Sequence, residues 1–138
     1  MDICIIGGGA SGLVAAITAA REGACVTIIE HNDRIGKKIL VTGNGKCNLS
    51  NQDMDLSNYY CKDKNRLGQF LDRFSESDTV HFFRNLGLLV TEKNGYIYPY
   101  AEQASAVLDV LRYELDCLGV RVLLDTKPLS IKPVKHSD

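Results

Sequence analysis

The chain has 138 residues, of which 45% are hydrophobic and 24% are charged, and this balance is that of one ordinary globular domain rather than of a disordered or membrane-spanning protein. Its formal net charge is −1, and Lys and Arg are scattered, so no basic stripe favours nucleic acid or an anionic membrane as a partner. The five cysteines include no C-x-x-C pair, which suits neither a disulfide framework nor a zinc or other metal site and favours a reducing, cytoplasmic location.

Residues 2–30 have the pattern of a βαβ unit. Asp2–Ile6 is predicted to be a short buried strand, Ala10–Glu22 a helix rich in alanine, and Cys25–Glu30 a second strand. Gly23 suits the left-handed conformation that often ends a helix. Because the helix is long enough to cross back over a sheet, the two strands should be parallel neighbours in a right-handed unit.

The rest of the chain is predicted in three further parts and a tail. Residues 31–60 lack periodicity and are rich in glycine, asparagine and lysine, which is typical of a functional loop. Residues 65–100 are predicted to form two helices and a small β-hairpin with an Asn-Gly turn at 94–95. Residues 104–125 indicate an amphipathic helix and a strand that feeds the same sheet. The tail from Thr126 has little pattern, and we expect the chain to be incomplete.

A glycine-rich segment between the first strand and the first helix matches G-x-G-x-x-G. It consists of Gly7, Gly8, Gly9, Ala10, Ser11 and Gly12. The first glycine of this motif allows a tight turn, the second lets a pyrophosphate approach the backbone, and the last lets the helix and the strand pack closely. The free N–H groups and the positive dipole end of the helix would bind two phosphate charges without a side-chain cation.

An acidic residue ends the second predicted strand, as ribose recognition requires. Glu30 would accept hydrogen bonds from the ribose of an adenosine, and it would repel a ribose phosphate. The motif and this acid together indicate FAD or NAD rather than NADP, and these residues leave the choice between FAD and NAD open. His31, which follows Glu30 directly, is a candidate to lie beside the adenosine.

The long loop carries a second motif. Residues 34–51 read RIGKKILVTGNGKCNLSN, and GYIYP follows at residues 95–99, with Ala104 and Val107 beyond it. Both stretches closely resemble the G-R-K-x-L-x-S-G-x-G-R-C-N-x-T-N and G-x-x-F/Y-P-x-x-x-x-A-x-x-V signatures of the BaiN-like (YhiN-like) family of FAD-dependent oxidoreductases. Departures from residues that are common in the family include Lys37 and Lys46 for arginine, Asn44 for glycine and Ser50 for threonine.

This resemblance implies an α/β fold, the N-terminal part of a Rossmann-like FAD-binding domain with a parallel sheet, flanking helices and a small hairpin. Family members are longer, with a substrate domain and a C-terminal segment that completes the FAD site, and we expect both to be absent here. Carried over by position, the resemblance implies that Gly7–Gly12 hold the pyrophosphate, that Glu30 binds the ribose, and that the Lys38–Asn48 segment follows the ribityl chain and the flavin ring. The candidate cofactor-binding residues of that segment are Lys38, Gly43, Gly45, Lys46, Cys47 and Asn48.

No catalytic residue is indicated by the sequence. Cys47 has no partner cysteine or histidine nearby, so a redox or covalent role is not favoured. Cys4 and Cys25 in predicted strands and Cys117 in the last helix are expected to be small buried side chains. Flavin chemistry is intrinsic to the ring and needs no acid–base pair from the protein.

The resemblance implies an oxidoreductase in which NAD(P)H delivers hydride to FAD and the flavin passes electrons to a small organic substrate, such as an enone, a steroid or an amine. A dinucleotide-binding module without activity is one alternative. An NAD-dependent dehydrogenase is another, and it would leave the loop at residues 34–51 without an explanation. We expect a piece of this length to hold FAD weakly or not at all.

Overall fold

The computed structural model describes residues 1–133, and in this part of the chain six strands and four α-helices follow one another. In chain order they are β1 (Asp2–Ile6), α1 (Ala10–Arg21), β2 (Cys25–Ile29), β3 (Ser50–Asn51), α2 (Lys64–Arg73), α3 (Glu76–Asn85), β4 (Val90–Lys93), β5 (Tyr96–Pro99), α4 (Ala104–Cys117) and β6 (Arg121–Leu123). Within the described residues they fall into two compact units: unit 1 comprises residues 1–37 and 114–133, and unit 2 comprises residues 38–113. Over residues 1–133, no helix is both long enough and apolar enough to cross a membrane.

Unit 1 contains a parallel sheet with the strand order β1-β2-β6. Helix α1 connects β1 to β2 and packs against both strands, and its Leu13, Ala16 and Ile17 are fully buried. At its end Gly23 has φ +82° and donates its N–H to the carbonyl of Ala20 at 2.9 Å, because glycine adopts this left-handed conformation without strain. The predicted βαβ unit and the predicted glycine at the end of its helix are therefore confirmed. The expected burial of the first strand is wrong, because β1 is at the edge of this sheet and its residues are exposed or half-buried.

Helix α4 and strand β6 form the second αβ step that the sequence predicts. The helix buries Val107, Leu108, Leu111 and Leu115, which recur at helical spacing. Strand β6 then pairs in parallel with β2, with Val122 opposite Ile28. The α/β, Rossmann-like fold class expected from the sequence is confirmed by the parallel sheet β1-β2-β6 and the helix α1 that packs against it.

Unit 2 contains an antiparallel sheet with the strand order β3-β5-β4. Strands β4 and β5 form the predicted hairpin, and its turn has φ +54° at Asn94 and +84° at Gly95, as a type I′ turn requires. The expectation of an irregular loop over residues 31–60 is wrong in part. Strand β3 lies within it and pairs with β5, and short 3₁₀ segments occur at Ile39–Gly45 and Leu56–Asn58. A strand of two residues is too short to show periodicity in a sequence.

The expected burial of three cysteines is wrong. Cys4, Cys25 and Cys117 are exposed. Side chains alternate along a strand, and in β2 the buried positions are Val26 and Ile28, which places Cys25 on the other face of the sheet. Cys117 is the last residue of α4, beyond the buried stripe of that helix.

Candidate nucleotide-binding site

The turn between β1 and α1 has a backbone that only glycine fits at two positions. Gly7 has φ +101° and donates its N–H to the carbonyl of Ile29 at 2.8 Å, which ties the turn to β2. A Cβ atom placed on Gly12 would lie 1.9 Å from the carbonyl oxygen of Gly7, so the helix can approach the strand only without a side chain here. The turn and close-packing roles that the motif predicts for these two glycines are present.

The start of α1 is open to an anion. Its first residue is preceded by Gly9, which provides no side-chain cap, and the first turn of the helix contains no acidic residue. The N–H of Leu13 bonds to the carbonyl of Gly9 at 2.9 Å, so the three helical N–H groups before it have no partner one turn back. A Cβ atom placed on Gly9 would meet nothing within 4 Å. Donors and free space therefore coincide at the positive end of the helix dipole.

The carboxylate of Glu30 is buried against this turn, with 5% of the residue exposed. Its Oε2 accepts the N–H of Gly8 at 2.7 Å, and its Oε1 accepts the backbone N–H of Asn32 at 2.8 Å and the side-chain Nδ2 of the same residue at 2.6 Å. Burial alone would raise the pKa of this carboxyl group, but the hydrogen bonds from Asn32 and Gly8 outweigh it and lower the pKa below 4.5. Glu30 is thus held as an anion in a fixed orientation.

An open cavity of 330 Å³ lies at the carboxyl ends of the strands of unit 1. Its lining residues are Ile6, Gly7, Ile29, His31, Thr126, Lys127 and Pro128. The N–H of Thr126 bonds to the carbonyl of Glu30 at 2.9 Å, which brings the segment after β6 beside the end of β2. In open parallel sheets ligands bind at this edge, so the cavity is positioned for part of a nucleotide.

His31 is an exposed side chain at the rim of that cavity, as 68% of its side chain is accessible. Its Nδ1 lies 3.0 Å from Oε1 of Glu30. The imidazole therefore has one edge against the carboxylate and the rest of the ring available to a ligand.

The candidate residues of the loop, from Lys38 to Asn48, belong to unit 2. Gly43, Gly45 and Cys47 have φ of +53°, +82° and +57°, and the side chain of Cys47 is buried. A Cβ atom on Gly43 would lie 2.9 Å from the backbone nitrogen of Asn48. Lys38 and Asn48 are exposed. Unit 2 thus brings Gly43, Gly45, Lys46, Cys47 and Asn48 into one tight turn region.

Lys46 has a partner that the sequence did not reveal. Its Nζ lies 2.8 Å from Oε2 of Glu102, and Oε1 of the same carboxylate contacts Lys93. The hydrogen bonds from Lys46 and then from Lys93 lower the pKa of Glu102 to about 2. The ammonium group of Lys46 is therefore paired with the carboxylate of Glu102. No periodicity or motif in the sequence connects these two residues.

Two further residues of unit 1 contact this site, although no sequence motif indicates them. Asn32 donates its backbone N–H and one side-chain N–H to Oε1 of Glu30. Ile35 packs over Gly8, and a Cβ atom placed on Gly8 would lie 2.5 Å from Cγ2 of Ile35. The N–H of Gly36 also bonds to the carbonyl of Gly8 at 2.7 Å. The only sequence signal for the Asn32–Glu30 contact is an asparagine two residues after the acid. No sequence signal indicates that Ile35 packs over Gly8.

A parallel sheet, a glycine turn that leads into a helix, and an acid at the end of the second strand together define a Rossmann-type nucleotide-binding domain. Residues 1–137 match the family described as the HI0933-like protein Rossmann domain, and the chain belongs to this family. The resemblance drawn from the loop motif is thereby confirmed.

Two named proteins are similar to this chain in sequence. The chain is 46% identical over 132 residues to a 3-dehydro-bile acid delta(4,6)-reductase of Clostridium scindens, a match that covers 94% of this chain and 32% of the relative. It is 28% identical over 135 residues to a ribosomal RNA dihydrouridine synthase of Haemophilus influenzae, covering 97% and 33% of the two chains. The chain thus spans about a third of the length of these relatives.

The fold is also similar to that of a solved structure, the 3-ketosteroid-delta4-(5alpha)-dehydrogenase from Rhodococcus jostii RHA1 in complex with 4-androstene-3,17-dione. The TM-score is 0.66 at 15% sequence identity, and the match covers 88% of this chain and 37% of that chain. At this level of identity the likeness concerns the fold.

Proposed function

We propose that this chain forms the ADP-binding part of an FAD site, and that the polypeptide carrying it is an FAD-dependent oxidoreductase. The observation that carries the proposal is the coincidence of free helix N–H groups, open space at Gly9 and a fixed carboxylate at Glu30. These residues fit a dinucleotide, because a diphosphate needs donors without a competing acid and a ribose needs an acceptor beside them.

Each part of the cofactor is assigned to a feature of the chain. The backbone N–H groups at the start of α1 would bind the pyrophosphate, and Glu30 would accept a ribose hydroxyl. The cavity lined by His31 and the Thr126–Pro128 segment would hold the adenosine. When bound, FAD supplies the redox chemistry of its ring, and the protein provides binding and orientation.

We assign the flavin half of the cofactor to the segment from Lys38 to Asn48 in unit 2. Gly43 and Gly45 have the left-handed backbone that allows a flat ligand to approach closely. Lys46, held by Glu102, would provide positive charge near the cofactor. This assignment rests on the family motif and on these backbone angles.

For the reaction we propose hydride transfer from NAD(P)H through FAD to a small organic substrate with reducible double bonds. The 46% identity to the bile acid reductase of Clostridium scindens supports this substrate class over ribosomal RNA, for which the relative is 28% identical. The scattered basic residues and the net charge of −1 also speak against a nucleic acid partner. We place this activity in the cytoplasm, because an odd set of unpaired thiols suits a reducing compartment.

The binding proposal is tested by titrating the ¹⁵N-labelled chain with ADP and following the amide signals of Gly7 to Gly12 by NMR. We expect weak but saturable shifts of these signals in the wild-type chain. Gly9→Ala should abolish them without unfolding the protein, because its Cβ would occupy the space that a phosphate needs and would meet no protein atom within 4 Å. The free energy of unfolding should stay within about 0.5 kcal/mol of the wild-type value.

Gly68→Ala is the matched control, since its Cβ would lie on helix α2 at 3.3 Å from a flexible leucine methyl group. It should bind ADP as the wild type does. A wild-type chain whose Gly7 to Gly12 signals ignore ADP would refute the binding proposal. The reaction is tested on the full polypeptide that carries this chain, by NADH oxidation with added FAD and with a dehydro bile acid or unmodified ribosomal RNA as acceptor. Turnover of RNA alone would refute the proposed substrate class.

A further inference from the structure

The two oxygens of Glu30 differ in how many donors they already have. Oε1 accepts the backbone N–H of Asn32 at 2.8 Å and its Nδ2 at 2.6 Å, and it also lies 3.0 Å from Nδ1 of His31. Oε2 accepts one protein donor, the N–H of Gly8 at 2.7 Å. A carboxylate oxygen has about two strong acceptor directions, so Oε1 is saturated and Oε2 retains one.

Asn32 also connects Glu30 to the end of strand β6. Its carbonyl accepts the N–H of Asp125 at 3.1 Å, while the N–H of Thr126 bonds to the carbonyl of Glu30 at 2.9 Å. The side chain that orients the carboxylate is therefore anchored to the same backbone that borders the cavity at the strand ends. Rotation of Glu30 would break two hydrogen bonds from Asn32 at once.

From these contacts we propose that Asn32 is a positioning residue for nucleotide recognition, which fixes the Glu30 carboxylate so that Oε2 alone accepts a ribose hydroxyl. This inference rests on the proposed function, because it concerns the same site. Asn32 acts through Glu30: one of its side-chain N–H groups donates to Oε1, and the atom that accepts the ribose hydroxyl is Oε2 of Glu30.

The physical gain is preorganisation. A carboxylate that must be oriented at the moment of binding loses rotational freedom then, whereas one already held by two N–H donors has lost it on folding. The donors also stabilise the ionised form, which is the better acceptor for a hydroxyl group. The titratable side chain that faces this carboxylate in the described part of unit 1 is His31, so the ionisation of His31 is followed in the same experiments.

The test compares Asn32→Ala with the wild-type chain in three measurements. We expect the ADP affinity measured by NMR titration to fall roughly tenfold, as for the loss of an interaction with a charged group. The preference for ADP over 2′,3′-dideoxy-ADP should shrink, because the ribose acceptor is no longer held. The Glu30 carboxyl, followed by ¹³C NMR without ligand, should titrate at higher pH, and the titration of His31 is recorded alongside it.

Two further variants sharpen the result. Asn32→Asp keeps the shape of the side chain but places a second carboxylate against Glu30, so it should weaken ADP binding further than Asn32→Ala. Asn65→Ala removes an exposed asparagine from helix α2 and should leave all three measurements unchanged.

The outcomes separate the inference from the proposed function. Unchanged ADP affinity in Asn32→Ala overturns the inference while the FAD proposal stands. Weaker binding with an unchanged ribose preference and an unchanged Glu30 titration would mean that Asn32 is merely structural, which also overturns it. If the wild-type chain fails to bind ADP, the proposed function is wrong and the positioning role is wrong with it, even where the Glu30 titration moves.

Discussion

The buried carboxylate of Glu30 links stability to pH. Its pKa is lowered in the folded chain, because the hydrogen bonds from Asn32 and Gly8 outweigh the opposing effect of burial. A carboxyl group with a depressed pKa stabilises the fold at pH above its unfolded pKa, and this contribution is lost as the pH falls through the folded pKa. The loss should therefore occur on the acid side of the ordinary value of 4.5.

We predict that Glu30→Gln destabilises the chain by about 1 to 3 kcal/mol at neutral pH, because an amide leaves one of the buried N–H donors without an acceptor. The difference from the wild type should shrink as the pH falls below about 4.5, where the wild-type carboxylate becomes protonated. Urea unfolding at several pH values measures both effects. Glu22→Gln, at an exposed position after α1, is the control, and a pH-independent difference for Glu30→Gln would contradict the prediction.

Helix α3 begins with a complete capping box. The N–H of Asp78 bonds to Oγ of Ser75 at 3.2 Å, and Oδ2 of Asp78 accepts the N–H of Ser75 at 2.7 Å. These reciprocal bonds satisfy two donors that would otherwise lack a partner at the helix start. The hydroxyl group of Ser75 also donates to Oδ2 of Asp78 at 2.6 Å, and this bond, followed by the bond from the Ser75 N–H, lowers the pKa of Asp78.

We predict that Ser75→Ala lowers the free energy of unfolding by about 1 kcal/mol, since both cap contacts of the hydroxyl group are lost. Ser77→Ala provides a matched substitution two residues later, inside the same helix and exposed, and it should change the stability by less than about 0.5 kcal/mol. Thermal and urea unfolding followed by circular dichroism measure the pair. Equal effects of the two substitutions would show that the cap contributes nothing.

Long elements with a periodic pattern could be predicted from the sequence. Short elements, and features that depend on contacts between distant residues, could not. The helices α1 and α4 follow from apolar spacing and from the glycines after them, and the hairpin turn follows from its Asn-Gly pair. Strand β3 could not be predicted, because two residues form no pattern and its existence depends on pairing with β5. The face on which Cys25 lies depends on packing against α1, which local sequence does not specify.

The candidate site divides in the same way. The glycine turn and Glu30 could be found because their spacing is a recognisable motif. The Asn32 contacts, the cavity wall at Thr126–Pro128 and the Lys46–Glu102 pair join positions that are far apart in the chain or carry no periodic signal. Their recognition required the three-dimensional arrangement.

The five thiols differ in their exposure to solvent, so their reactivity distinguishes the folded chain from the unfolded one. Cys4, Cys25, Cys61 and Cys117 are exposed, and Cys47 is buried. We predict that a chromogenic disulfide reagent modifies four thiols quickly in the native protein and the fifth only after unfolding, because a thiol must reach solvent to react. The time course of colour release measures this. Cys47→Ser should show four thiols in both states, and fast reaction of all five in the wild type would contradict the buried position of Cys47.

The neighbouring glycines of the β1–α1 turn differ in what a mutation would do to them. A methyl group is excluded at Gly12 by the Gly7 carbonyl and is crowded at Gly8 by Ile35, but it finds room at Gly9. If a copy of the gene were no longer selected for ligand binding, an alanine should become fixed at Gly9 before the other two positions, because of these three substitutions only Gly9→Ala leaves the fold intact. A homologue with alanine in place of Gly9 and with Gly8 and Gly12 conserved should therefore fold but should no longer bind a nucleotide.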